Sequence, residues 1–128
     1  MITYGMKKKL DMPFEKAEEK ALEKLKAHGF GVLTTIDIKE KLKEKLGVDF
    51  KKYKILGACN PPNAHKALMA EPDIGLMLPC NVILYEDEGG TVVSAVKPTV
   101  AMSMIENEAL RDTALEVEAM LRGFMDDM

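Results

Sequence analysis

Apolar and polar residues alternate from Ile2 through Tyr4 and Met6 to Leu10, the period of two expected of a half-buried strand. Pro13, at a first helical position, opens a different rhythm: Phe14, Ala17, Ala21, Leu22 and Leu25 recur at helical spacing, with Glu and Lys on the opposite face. His28-Gly29 ends that helix, the glycine supplying a left-handed cap. Gly31 to Ile38 is rich in β-branched residues and predicts a second strand, and Lys39 to Leu46 a short charged helix stopped by Gly47. Tyr53 to Cys59 makes a third strand. Pro61 then forces Asn60 out of the helical backbone region, which is the state an N-cap adopts, so a helix is expected from Pro61 to about Ala70. After a turn at Glu71-Pro72-Asp73, Ile74 to Glu86 reads as a long apolar strand broken at Pro79. Asp87 to Gly90 is the loop of a hairpin whose second strand is Thr91 to Val96. Ser103 and Glu106 make a capping box for a last helix, one face of which carries Leu110, Thr113, Ala114, Val117, Leu121 and Phe124.

The order βαβαβαββα implies an α+β fold, a mixed sheet of about five strands with helices packed mainly on one face. A chain of 128 residues suits one domain spanning residues 1–128, and 47% hydrophobic residues promise a real core. With 18 basic against 21 acidic residues, a protein built to neutralise phosphates is disfavoured, so nucleic acid is not the expected partner. No apolar run reaches the length of a membrane helix and no secretory signal is evident, so a cytoplasmic protein is expected. Two cysteines are too few for a disulfide framework.

Candidate chemistry collects in two segments. Gly57 to His65 places Cys59 at the end of a strand, just before a helix N-terminus whose dipole and amides favour an anion: a Cys59 thiolate, or a ligand carboxylate or phosphate. A competing reading makes Cys59 core filling, the commoner fate of a cysteine ending a central strand. His65 lies on the boundary face of the same helix, where the dipole favours neutral imidazole, a base or a metal ligand; an exposed histidine without function is the alternative. His28 reads as a favourable C-terminal helix residue. The second segment, Leu78-Pro79-Cys80-Asn81, puts a proline into an apolar strand, where a bulge can turn Cys80 toward a cavity. Cys59, His65 and Cys80 together would suit zinc or monovalent copper, but there is no C-x-x-C pair and no fourth ligand. No metal or cofactor is therefore assigned. The 10 methionines read as gap fillers or a subunit contact. G-x-G-x-x-G, Walker, H-E-x-x-H and G-x-S-x-G motifs are all missing, which removes support for nucleotide hydrolysis and the common hydrolase schemes.

The blocks HGFGVLTTIDI, LGACNPPNAHKAL and GLMLPCNVILYE, in that order, resemble the domain of unknown function 302 family over nearly the whole chain. The resemblance implies a small α+β domain, in some members dimeric, and no established activity, so no catalytic residue is carried over from it.

Three functions compete. The preferred one is a binding module for a small anion or acid, with its pocket formed by Cys59, Asn60, His65 and Cys80 at the strand-to-helix junction. The second is a thiol-dependent redox enzyme or sensor using Cys59. The third is a purely structural homodimer, joined through a sheet edge or the methionine-rich C-terminal helix. A homodimer is expected alongside the binding module as well.

Overall fold

The computed structural model describes residues 2–128, as a sheet of five strands with five α-helices and one 3-10 helix. The strands are β1 (Gly5–Leu10), β2 (Gly31–Asp37), β3 (Tyr53–Cys59), β4 (Cys80–Asp87) and β5 (Gly90–Val96). The helices are α1 (Phe14–Ala27), α2 (Ile38–Leu46), α3 (Pro61–Ala70), a single turn α4 (Pro98–Ala101) and the long α5 (Glu108–Asp127). The α+β class stands, and the sheet order is β1-β5-β4-β3-β2. Every pairing is antiparallel, so the expected mixed sheet is corrected. β1 enters at the far edge beside β5, and such a non-local pairing leaves no trace in local periodicity.

Register decides the faces. Leu56 pairs with Val82 and Val82 with Ala95, while Leu84 pairs with Val93, so these side chains share one side of the pleat. Against them pack Ala17, Ala21 and Leu25 of α1 and Leu121 and Phe124 of α5, all fully buried. Burying each large apolar side chain is worth about 1.5–3 kcal/mol relative to leaving it in water, which is what seats the two helices. On the opposite face Tyr53 and Tyr85 stack at 5.5 Å, and the Lys51 ammonium sits 4.6 Å above the Tyr85 ring.

Local chemistry sets the ends. Pro13 is the N-cap of α1 rather than its first residue. At the other end Phe30 N–H donates to Leu25 O at 2.9 Å and Gly29 N–H to Lys26 O at 3.1 Å, a Schellman turn that needs the left-handed Gly29 at φ 88°. Phe30 is thereby folded back onto the core. His28 serves as the C-cap, and its Nε2 lies 2.8 Å from Asp127 Oδ2, a contact that holds the Asp127 carboxyl below its usual range. Lys20 Nζ donates to Met128 O at 2.9 Å, so the end of α5 is pinned twice to α1 and its cap.

Two expectations fail. Residues 74–79 are not strand: Pro72–Met77 is a 3-10 helix, and β4 begins only at Cys80 after a cis Leu78-Pro79 bond. Ile74, Met77 and Leu78 join Ala67 and Leu110 in a small second core, and their i, i+3, i+4 spacing is helical. The Ser103–Glu106 capping box is not made. Ser103 Oγ donates to Val100 O at 2.7 Å behind α4, and Asn107 caps α5 by accepting from Leu110 N–H at 3.2 Å. Asn107 Nδ2 also donates to Ala70 O at 2.9 Å, fastening the end of α3 to the start of α5. No described helix is long and apolar enough to cross a membrane.

Candidate functional site

The strand-to-helix junction forms as the sequence predicts. Asn60, with extended φ −102° and ψ 105°, caps α3: its Oδ1 accepts from Asn63 N–H at 3.1 Å. The same oxygen accepts from Asn63 Nδ2 at 2.8 Å, while Asn60 Nδ2 donates to Gly29 O at 2.9 Å. The Schellman turn of α1 thus presents the carbonyl against which Asn60 is set. That pattern also fixes both amide orientations, because turning either group over would set oxygen against oxygen or nitrogen against a donor.

Beside this junction lies a cavity of about 280 Å³. Ala58 and Cys80 line it at the sheet, Asn63, Ala64, Ala67 and Leu68 on α3, and Thr113, Ala114 and Val117 on α5. Phe30, Leu33, Cys59, Asn60, Leu78, Pro79, Pro98 and Met102 complete the wall. The space exists because small residues stand where helices and sheet converge: Ala58, Ala64, Ala67 and Ala114 leave volume that leucines would fill. Gly57, on the opposite face of the pleat, has no room for a side chain, since a Cβ there would run into Thr34 and Pro79.

The wall holds no charged side chain. Its notable polar feature is Asn63, 4% exposed, whose Nδ2 is engaged by Asn60 and lies 3.7 Å from Met120 Sδ. Asn63 Oδ1 is buried with no hydrogen-bond partner. An acceptor left in that state costs about 1–3 kcal/mol.

These facts correct the expected anion site. Of the four leading positions of α3, Pro61 and Pro62 have no N–H at all, Asn63 N–H is held by Asn60 Oδ1, and Ala64 N–H donates to Asn60 O at 2.9 Å. No amide remains for a carboxylate or phosphate, and a charge entering the cavity would find no counter-charge. The two prolines were visible in the sequence and carried that message.

His65 is exposed on the outer side of α3 and does not line the cavity, so the three-residue cluster with Cys59 and Cys80 does not form. The described residues contain no group of three His, Cys, Asp or Glu side chains able to hold a metal ion. Cys59, Asn60 and Cys80 do lie at the cavity. Both thiols are free, Cys59 half-buried and Cys80 buried. Cys80 pairs across the strands with Ala58 rather than Cys59, and the two cysteines border the same cavity. Burial, and secondarily the Cys59 sulfur, push the Cys80 thiol up to about 11. At pH 7 its thiolate fraction is then on the order of 10⁻⁴. An aromatic disulfide reagent is accordingly expected to modify Cys59 first and Cys80 at least about tenfold more slowly. Removing the fast phase with Cys80→Ser instead of Cys59→Ser would reverse this assignment.

Sequence reasoning missed Asn63, Ala67, Thr113, Ala114 and Val117 as cavity wall. Ala114 and Val117 had been placed on the core face of α5, but nothing in one helix tells which core positions border a void.

Comparison with known proteins places the chain. No curated protein matches it. The crystal structure of an uncharacterized conserved protein DUF302 from Bacillus stearothermophilus superposes with a TM-score of 0.90 at 32% sequence identity, covering 98% of each chain. The family model described as domain of unknown function DUF302 matches residues 6–128, so the chain belongs to the DUF302 family.

Proposed function

We propose that this domain binds a small, neutral and mostly apolar molecule in the cavity between the end of the sheet, α3 and α5. The observation that carries the reading is an uncharged, carbon- and sulfur-rich wall around about 280 Å³. A largely apolar pocket is the usual form of a small-molecule site. The acid or anion first expected gives way to a neutral ligand for want of donors and counter-charge. A cytoplasmic setting, which two free thiols suit, belongs to the same proposal.

A matched pair of dyes tests it. N-phenyl-1-naphthylamine is neutral and carries one N–H; 8-anilinonaphthalene-1-sulfonate has the same skeleton with an added sulfonate. The neutral dye is expected to bind saturably with a fluorescence rise, at least tenfold more tightly than the sulfonate, a margin of about 1.4 kcal/mol. Ala114→Phe, which fills the cavity, should abolish that binding. Equal affinities, or a filled variant that binds as before, would remove the proposal.

A further inference from the structure

We propose that the face of the sheet turned away from α1 and α5 carries a binding site of its own, for a small aromatic monocarboxylate held between Lys7 and Ser94. The site lies across the sheet from the α3–α5 cavity and does not rest on the reading of that cavity.

Strand alternation builds it. β1 carries Lys7, Lys8 and Lys9 along one margin of the sheet. The pleat sends Lys8 to the helix side, where its Nζ donates to Met125 O at 3.2 Å, and leaves Lys7 and Lys9 on the other face. There Lys7 stands beside Ser94 of β5, Ser94 beside Ile83 of β4, and Ile83 beside Ile55 of β3. In the neighbouring row Lys9 is followed by Val92, Tyr85 and Tyr53. Gly5 and Ser94 are small where their neighbours are long, so a cavity of about 360 Å³ opens over them, walled by Tyr4, Tyr53, Tyr85 and Lys7. A Cβ on Gly5 would come within 3.2 Å of Ser94 Oγ and 3.1 Å of Ala95 O, so glycine keeps that floor clear.

Ser94 is the residue that points to a ligand. β5 is an inner strand, and the residues around Ser94, from Val92 and Val93 to Ala95 and Val96, are all apolar. Serine there gives up packing that valine would supply. It is 7% exposed and lines the cavity, and none of the side-chain hydrogen bonds among the described residues involves its hydroxyl. A polar side chain so enclosed and without a partner is uncommon in a folded protein.

Charge and shape set the class of ligand. Among the described residues that line the cavity, Lys7 alone is charged, which matches a single negative charge. Contact with the Tyr85 hydroxyl raises the Lys7 ammonium above its ordinary range and so keeps it protonated. Asp87, on the same face, is paired with Lys9 at 3.8 Å. Directly opposed residues of paired strands have Cβ atoms about 4.5–5.5 Å apart, so one carboxylate can accept from the Lys7 ammonium with one oxygen and from the Ser94 hydroxyl with the other. Ile83, Val96 and the rings of Tyr53 and Tyr85 line the rest, a surface that takes a flat unsaturated body by edge-to-face contact.

Nuclear magnetic resonance titration of the labelled protein with trans-cinnamate, and with the uncharged trans-cinnamamide, tests the proposal. Cinnamate is expected to bind saturably, to move the amide signals of Lys7, Ser94 and Ile83, and to bind at least about tenfold more tightly than the amide. Lys7→Met, a change at an exposed side chain, should weaken cinnamate at least about tenfold and leave cinnamamide as it was, and Ser94→Ala should weaken cinnamate at least about threefold. Ala114→Phe, which fills the α3–α5 cavity, should leave cinnamate binding intact, so failure of one site is told apart from failure of the other. No movement up to about 10 mM cinnamate, equal affinity for acid and amide, or either Lys7→Met or Ser94→Ala binding cinnamate as wild type does would overturn it. So would signal changes confined to the residues around the α3–α5 cavity.

Discussion

Truncating Phe124 to alanine is expected to lower stability by about 3–5 kcal/mol in urea unfolding. Phe124 is fully buried, and the cluster around it draws on α1, β1, β3, β4, β5 and α5 together. The void is bordered by elements that are fixed to one another, so collapse around it is limited and both the transfer and the cavity costs are felt. The backbone carbonyls of Met125 and Met128, which accept from Lys8 Nζ and Lys20 Nζ, keep the helix end from swinging in to fill the gap. Since domains of this size are stable by roughly 5–15 kcal/mol, the variant should be close to unfolding at room temperature. A loss below about 1 kcal/mol would mean that α5 does not seal the sheet as described.

Asn60→Ala should cost about 2–4 kcal/mol, more than an ordinary N-cap deletion at about 0.5–2 kcal/mol. The excess arises because one side chain does three jobs. It accepts from Asn63 N–H, accepts from Asn63 Nδ2, and donates to Gly29 O. Alanine leaves the buried Asn63 amide with only its long contact to Met120 Sδ and frees the turn at the end of α1. Asn60→Asp separates the jobs: the cap survives, helped by the helix dipole, while an oxygen replaces the donor facing Gly29 O. Its stability should fall between those of wild type and Asn60→Ala. Thermal unfolding of the three proteins checks the order, and an alanine variant within about 0.5 kcal/mol of wild type would show that the relay is ornamental.

What could be read from sequence was what neighbouring residues decide. Pro61 constrains Asn60, Asn60 caps α3, and the structure begins and ends that helix where expected. The hairpin was equally local: Glu88 and Gly89 both take positive φ, the geometry that a two-residue loop demands. Where local signals were ambiguous, the reading failed. Ile74, Met77 and Leu78 fit a strand by hydrophobicity and a helix by spacing, and contacts with Ala67 and Leu110 settled the matter. Ser103 and Asn107 were both competent caps, and α4 took up the chain before Ser103 could serve. Of the candidate residues, Cys59, Asn60 and Cys80 border the cavity, because they stand where strands end or begin and where α3 starts. His65 was misplaced by the phase of a single turn. The cavity was invisible because it is made of absent volume, contributed by alanines from β3, α3 and α5 that no local pattern relates.

The unequal treatment of the sheet's two margins bears on how far any assembly can grow. A flank studded with ammonium groups turns other strands away, so backbone pairing along that margin is disfavoured. Growth into ribbons or fibrils, the hazard of a β-rich chain, needs both margins open, and this sheet offers at most one.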